Sequence, residues 1–127
     1  MTERRDAYHD LPLAGWAEYL LYHPHDATVY EVSRTEPFRL LRTRHAHDSP
    51  VTPPLMGRTV NTVISVLEPE QPGLAARLIQ ALRRVRVDAP VRLEYRSSRH
   101  GAMRVAVIID EGPEHPYLSI FCESPPS

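Results

Sequence analysis

The stretch PVRLEYRSSRHGAMRVAVIID, residues 90–110, decides the fold of this chain. In VRLEYRS (91–97) apolar and charged residues alternate, which predicts a half-buried β-strand. AMRVAVII (102–109) follows a short polar turn that contains glycine, so the two runs are expected to form an antiparallel hairpin. YLSIFCE (117–123) alternates in the same way after a further turn. The C-terminal third of the chain is therefore predicted to be a three-stranded meander.

The residues before this meander carry helical patterns. EPEQPGLAARLIQALRRVRV (68–87) begins with acidic residues and ends with arginines, which suits the helix dipole. RTVNTVISVL (58–67) has apolar residues at helical spacing and predicts a shorter helix. The longer helix should bury the four residues that recur along one side: Leu74, Leu78, Leu82 and Val85.

The N-terminal half predicts one more helix and two strands. A helix should begin after Asp10 and end before Pro24, since proline disfavours helix in the residue before it. ATVYEVS (27–33) and FRLLRTR (38–44) flank a short polar turn and predict a hairpin. Its facing residues should have numbers that add to about 71. Together the elements predict an α+β domain with one five-stranded antiparallel sheet.

This order of elements resembles that of a PAS domain. The similarity is greatest over GRTVNTVISVLEPEQPGLAARLIQALRRVRVDAPVRLEYRSSRHGAMRVAVII (57–109), where a "GR" precedes short helices and a long helix ends in "ALRRV". "PVRLEYR" and a polar hairpin into an aliphatic strand follow. The resemblance implies strand order 2-1-5-4-3, with helices on one face and an N-terminal flanking helix. It divides the chain into the flanking helix (1–26), the PAS-like domain (27–123) and a tail or linker start (124–127).

The resemblance also implies a ligand pocket between the sheet and the helices. The alternative for each residue at a pocket-facing position is ordinary core packing. The positions in this sequence that match the pocket are Val32, Leu41, Ile64, Leu78, Leu82, Leu93, Tyr95, Val105, Val107 and Ile120.

A second apolar surface is expected on the other face of the sheet. It should be covered either by the N-terminal helix or by a second copy of the chain. The residues expected at a dimer interface are Leu13, Trp16, Leu20, Ile108, Tyr117 and Phe121.

The cofactors of known PAS domains mostly lack their attachment residues here. Flavin-binding members that form a photoadduct have Asn-Cys-Arg-Phe-Leu-Gln on a central helix, and the p-coumarate-binding type needs a helical or loop cysteine. The only cysteine of this chain, Cys122, lies in the last predicted strand. Haem-binding members commonly place a histidine on the long helix, and residues 73–87 contain none. A non-covalent small ligand, of unknown identity, stays open.

Composition excludes several other classes. The 127 residues include no lysine, so a phosphate-binding P-loop is absent. A net charge of −1 argues against nucleic acid and anionic membranes as partners. The first residues lack the apolar core of a signal peptide, which predicts a cytoplasmic protein.

Two histidine stretches, HPHD (23–26) and HAHD (45–48), present the strongest metal-like pattern. The predicted hairpin brings them to one end of the sheet, where neutral imidazoles suit zinc, copper or nickel. The alternatives are solvent-exposed turns and a cluster that senses pH through protonation near pH 6. The four histidines are His23, His25, His45 and His47.

The expected function is that of a sensory or interaction module in signal transduction, not an enzyme. It would bind a small ligand or partner and dimerise, passing a signal to an output domain or protein. The alternatives are a metal-dependent enzyme that uses the histidine stretches and a ligand-free oligomerisation scaffold.

Overall fold

The computed structural model describes residues 12–22, 27–44, 53–71, 73–97 and 101–123. Within these ranges the predicted helices and strands are confirmed, and a short 3₁₀ helix (Pro53–Leu55) precedes the second α-helix. The elements are α1 (Leu13–Tyr22), β1 (Thr28–Ser33), β2 (Leu40–Arg44), α2 (Val60–Leu67), α3 (Leu74–Arg84), β3 (Val91–Ser97), β4 (Ala102–Ile109) and β5 (Tyr117–Glu123).

The five strands form one antiparallel sheet in the order β2-β1-β5-β4-β3. The predicted α+β fold class and strand order are therefore confirmed. The N-terminal strand β1 pairs with the C-terminal strand β5, which lies at the centre of the sheet. Strands β2 and β3 form the two edges.

Helices α2 and α3 pack on one face of this sheet. The Thr59 side chain caps the start of α2 by accepting a hydrogen bond from the Thr62 backbone N–H at 3.3 Å. In α3 the stripe predicted from helical spacing is buried, while Arg83 and Arg84 stay exposed near the end of the helix. The larger apolar core lies between these helices and the sheet.

The opposite face of the sheet carries a second apolar cluster under α1. Leu20 of α1 is fully buried there against residues of three strands, including Val29, Val107 and Phe121. The two clusters make β4 and β5 buried on both faces, which explains the continuous apolar run in β4.

The pairing of β1 with β2 differs from the prediction. Val29 faces Arg44 and Val32 faces Leu40, so each partner lies one or two residues further along β2 than expected. The register shifts between Glu31 and Val32, and Leu41 has no partner in the ladder. A bulge adds a residue to one strand and changes the face that the following side chains occupy.

Candidate functional site

A cavity of about 60 Å³ lies between the sheet and helices α2 and α3. This is far smaller than the roughly 300–1,000 Å³ of pockets for drug-sized ligands, and it has room for about four water-sized spheres. Its wall is mostly aliphatic. The lining residues are Tyr30, Val32, Leu40, Val60, Val63, Ile64, Leu67, Glu68, Leu74, Leu78, Leu93, Tyr95, Arg104, Ala106, Ile120 and Cys122.

The structure brings six of the ten residues expected at the pocket to this cavity. They come from three strands of the sheet and from both helices, as the resemblance implied. The six are Val32, Ile64, Leu78, Leu93, Tyr95 and Ile120.

The prediction is wrong for Val105 and Val107. Both are fully buried on the opposite face of the sheet, in the cluster under α1. Their neighbours Ala106 and Ile108 belong instead to the core on the helical side. Because β4 is apolar on both faces, alternation alone does not show which set of residues faces the cavity.

Leu41 and Leu82 are the other two corrections. Leu41 is 44% exposed, because the ladder between β1 and β2 is irregular at this point and leaves it without a partner. Leu82 is buried in the core on the helical side but is not among the residues that line the cavity. It lies one turn beyond Leu78 along α3 and packs there as core.

One end of the cavity is polar. The hydroxyl of Tyr95 forms side-chain hydrogen bonds with the Arg104 guanidinium and the Cys122 thiol. Arg104 also donates from Nη2 to the backbone oxygen of Cys122 at 3.3 Å. The Nε atom of Arg104 is buried and has no hydrogen-bond partner among the described residues. These contacts place a cation and two weak acids at a single wall of the cavity.

The same end carries a buried carboxylate. Glu68, which follows α2, accepts a hydrogen bond from the Ser97 hydroxyl at 2.5 Å between Oγ and Oε2. Sequence reasoning assigned this glutamate to the acidic start of the long helix and so missed it as a cavity residue. Arg104 was missed because the faces of β4 were assigned in reverse.

Burial controls the acidity of the two weak acids. Removal from water raises the pKa of the Cys122 thiol to about 11, and the positive charge of Arg104 and the hydrogen bond with Tyr95 only partly offset this. Burial likewise raises the pKa of the Tyr95 hydroxyl above its ordinary value. Both groups are protonated at neutral pH, so Cys122 has the character of a structural thiol and not of a nucleophile.

The residues expected at a dimer interface are distributed differently from the prediction. Leu20 and Phe121 are buried between α1 and the sheet of the same chain, and Ile108 faces the core on the helical side. The prediction is therefore wrong for these three residues, because Leu20 and Phe121 are buried where α1 packs on the sheet and Ile108 is buried on the other face, under α2 and α3. Leu13 is half-buried against the same cluster, and Tyr117 is half-buried at the start of β5. Trp16 lies in α1, and its side chain is outside the described part of the structure.

The predicted histidine cluster, His23, His25, His45 and His47, lies outside the described residues, so the proposed metal site stays a prediction. Within the described ranges, histidine, cysteine and acidic residues form no group of three or more that could hold a metal ion.

None of the helices in the described ranges has the length and apolar character needed to cross a membrane. A scan of the chain against protein-family models found no match, and searches of curated proteins and of solved structures found none either.

Proposed function

We propose that this chain is a PAS-like sensory or interaction module that binds a small molecule in its cavity and does not act as an enzyme. The bound molecule would change how α1 packs on the sheet, and this change would pass to a second copy of the chain or to an output domain or protein. The single observation that carries the proposal is the position of the cavity on the face of the sheet opposite α1, across strands β1 and β5.

The central strands connect the two surfaces. Tyr30 of β1 and Ile120 of β5 face each other in the ladder and line the cavity. Their neighbours Val29 and Phe121 also face each other, and both pack in the cluster that holds α1. Packed cores deform little. A ligand that shifts β1 or β5 at the cavity face would therefore also displace side chains on the face that holds α1.

We further propose that α1 supplies the contact with a second copy or an output partner. Leu21 and Tyr22 at the end of α1 are exposed, while Leu20 anchors the helix to the sheet. Leu13 and Tyr117 are partly exposed as well. An apolar strip of this kind suits a reversible contact between homodimer subunits.

Cavity filling tests the proposal. Ala106→Leu would place a larger side chain in the cavity wall, and Ala76→Leu on the exposed side of α3 is the matched control. We expect Ala106→Leu to change amide hydrogen exchange in α1 and the concentration dependence of the sedimentation coefficient, and Ala76→Leu to change neither. Xenon under pressure should enter the unmodified cavity and cause shifts in the NMR signals of the lining methyl groups.

If xenon does not enter and Ala106→Leu leaves α1 and the oligomeric state unchanged, the sensory proposal is wrong. A concentration-dependent oligomer combined with an inaccessible cavity would instead favour the ligand-free scaffold.

A further inference from the structure

A groove of about 310 Å³ lies on the α1 side of the sheet, where α1 meets the turn after α3 and the end of β4. It is separate from the cavity, with which it shares no lining residue. Helix α1 contributes Ala14, Ala17, Glu18 and Leu21 to its wall. These four positions have the spacing of one helical face, so the groove follows α1 for about 10 Å.

The floor of the groove is apolar and partly open to solvent. Two alanines of α1 leave space beside the helix, while Leu21 and Val87 are 40% and 60% exposed. Val87 lies at the tip of a tight turn, which two backbone hydrogen bonds between Arg86 and Ala89, at 3.2 and 3.0 Å, hold closed. The turn therefore presents an apolar side chain to the groove that α1 lines on its other side. Apolar side chains gathered at one groove, unlike isolated ones, mark a surface that binds another molecule.

The rim of the groove is acidic. The charged residues that line it in the described part of the chain are all carboxylates: Glu18, Asp88, Asp110 and Glu111. Arg34 binds Asp110, and the Ser119 hydroxyl donates to Glu111 at 3.0 Å. Glu18 and Asp88, by contrast, are exposed and form no ion pair within the described ranges. Two carboxylates, one on α1 and one on the turn, are therefore available to an incoming cation.

These charges decide the class of partner. A neutral or anionic surface that covered the groove would remove Glu18 and Asp88 from water without a counter-charge, which costs free energy. Two copies of the chain that met groove to groove would bring the carboxylates of one copy against those of the other. A second copy that used a different surface would build a ring or an open chain of molecules instead of a two-fold dimer. The groove therefore suits a cationic partner of a different kind.

The shape of the groove favours a polypeptide over a small cation. A free ammonium or guanidinium compound would neutralise Glu18 and Asp88 but would leave Leu21 and Val87 in water. Over about 10 Å, an amphipathic helix presents apolar side chains at positions i, i+3 or i+4, and i+7, with basic side chains beside them. Such a helix covers the floor and the rim together.

We propose that the groove binds a basic amphipathic helix of the output protein, with its aliphatic side chains between Leu21 and Val87 and its arginines or lysines on Glu18 and Asp88. This inference rests on the proposed role of α1 in contacting an output partner and specifies the chemistry of that partner. Contact with a second copy through Tyr22 stays compatible with it, because Tyr22 does not line the groove. The inference requires no occupant in the cavity, so binding at the two places is tested separately.

The test uses a capped amphipathic peptide with leucines at helical spacing and arginines beside them. Three derivatives replace its arginines by glutamine, its arginines by glutamate, or its leucines by serine. Binding to the unmodified protein is followed by NMR shifts of the methyl groups of Leu21, Val87 and Ile109, with Val66, exposed on α2 outside the groove, as the reference. We expect the arginine peptide to bind about fivefold or more tightly than each derivative, the ratio that two exposed ion pairs or one covered leucine side chain supplies. Added salt should weaken this binding.

Substitutions in the groove test its assignment. Glu18→Gln and Asp88→Asn should each lower the affinity for the arginine peptide about twofold to fivefold, because each removes one exposed ion pair. Glu70→Gln, which removes an exposed carboxylate outside the groove, should leave the affinity unchanged. Val87→Ala should lower it about threefold or more through lost apolar contact, whereas Val66→Ala, which shortens an exposed valine on α2, should have no effect. All five side chains are exposed, so the variants are expected to fold.

Each other result has a separate meaning. Equal binding of the arginine and glutamine peptides, or tighter binding of the glutamate peptide, would overturn the cationic class. Binding of the arginine peptide that no groove substitution weakens would place it elsewhere and overturn the role of the groove. Self-assembly of the unmodified protein that Glu18→Gln and Asp88→Asn abolish would assign the groove to a second copy and overturn the output partner. Absence of peptide binding would overturn this inference alone, since xenon entry and the response of α1 to Ala106→Leu test the sensory proposal independently.

Discussion

The Ser97 hydroxyl lies 2.5 Å from the Glu68 carboxylate and donates a hydrogen bond to it. This contact joins the residue after α2 to the last residue of β3, and both residues are buried. It holds the end of α2, where Glu68 lines the cavity, against the edge strand β3. A buried carboxylate needs such donors because it has lost its contacts with water.

Removing this donor should destabilise the fold. Ser97→Ala removes the hydroxyl, so the buried Glu68 carboxylate loses one hydrogen-bond donor. Such a loss typically lowers the free energy of unfolding by about 1–3 kcal/mol. Urea denaturation followed by circular dichroism measures the change in the free energy of unfolding. Ser65→Ala is the control, since Ser65 is exposed on α2 and its hydroxyl donates only to the Thr62 backbone oxygen. Equal losses in the two variants would contradict the structural importance of the contact between Ser97 and Glu68.

The anchoring of α1 predicts a contrast between two adjacent leucines. Leu20 of α1 is completely buried against the sheet, whereas its neighbour Leu21 is 40% exposed. Leu20→Ala should cost about 2–5 kcal/mol, because it removes buried methyl groups and leaves a cavity. It should also increase hydrogen exchange along α1. Leu21→Ala should cost much less, and similar effects of both substitutions would argue against the position of α1 on the sheet.

The ion pair between Arg34 and Asp110 predicts a dependence of stability on pH. Arg34 donates to both carboxylate oxygens of Asp110, at 3.0 and 2.5 Å, and this holds the pKa of Asp110 below its ordinary value of 3.8. A lowered pKa in the folded state contributes stability that is complete above the pKa of the unfolded state. This contribution is lost as the pH falls below about 3.8, through the lower pKa of the folded state.

Asp110→Asn tests this dependence. The stability difference between the unmodified protein and Asp110→Asn should be largest near pH 7 and should shrink as the pH falls below 3.8. Urea denaturation at several pH values measures it. Glu18→Gln, which removes the charge of an exposed carboxylate on α1, is the control variant. A difference for Asp110→Asn that stayed constant with pH would contradict the assigned ion pair.

The buried thiol should be chemically silent in the folded protein. Because burial raises the pKa of Cys122 to about 11 from an ordinary value of 9.0, almost no thiolate forms near pH 8. A disulfide reagent such as Ellman's reagent should therefore react slowly with native protein and rapidly after urea denaturation. Rapid reaction of the native protein would show that the cavity wall opens far more than the structure indicates.

The same pKa makes stability fall in alkaline solution. Between pH 9.0 and about 11, the unfolded chain releases the thiol proton while the folded protein keeps it, so unfolding becomes more favourable as the pH rises. Cys122→Ala should remove this part of the decline, although it also loses buried sulfur. The slope of stability against pH, and not its absolute value, is the quantity to compare.

The histidine stretches make a separate prediction about metals. Protein purified without a histidine tag should contain substoichiometric zinc, iron, copper and nickel by elemental analysis, because the proposed function requires no ion there. Stoichiometric metal that is lost in a variant with His23, His25, His45 and His47 all replaced by alanine would favour the metal-dependent enzyme. If the unmodified protein contains no metal, replacing these four histidines should leave its thermal unfolding midpoint unchanged above pH 7.

Sequence patterns predicted the elements well where one face of an element is polar. The stripe of α3 and the alternation of Val91, Leu93 and Tyr95 in β3 each distinguish a buried face from an exposed one, and the structure agrees. The pattern failed in β4, where both faces are apolar. There, Val105 and Ala106 are both apolar but pack in different clusters on opposite faces.

The sequence by itself therefore determined the order of helices and strands and the fold class, since these follow from local periodicity, and its resemblance to a known family indicated part of the aliphatic wall. Tertiary structure alone decided which face of β4 meets the cavity, the irregular register at Leu41 and the meeting of Arg104, Tyr95 and Glu68. These features depend on packing between residues far apart in the chain. Such packing is set by which layer covers each face of the sheet, and local patterns do not contain that information.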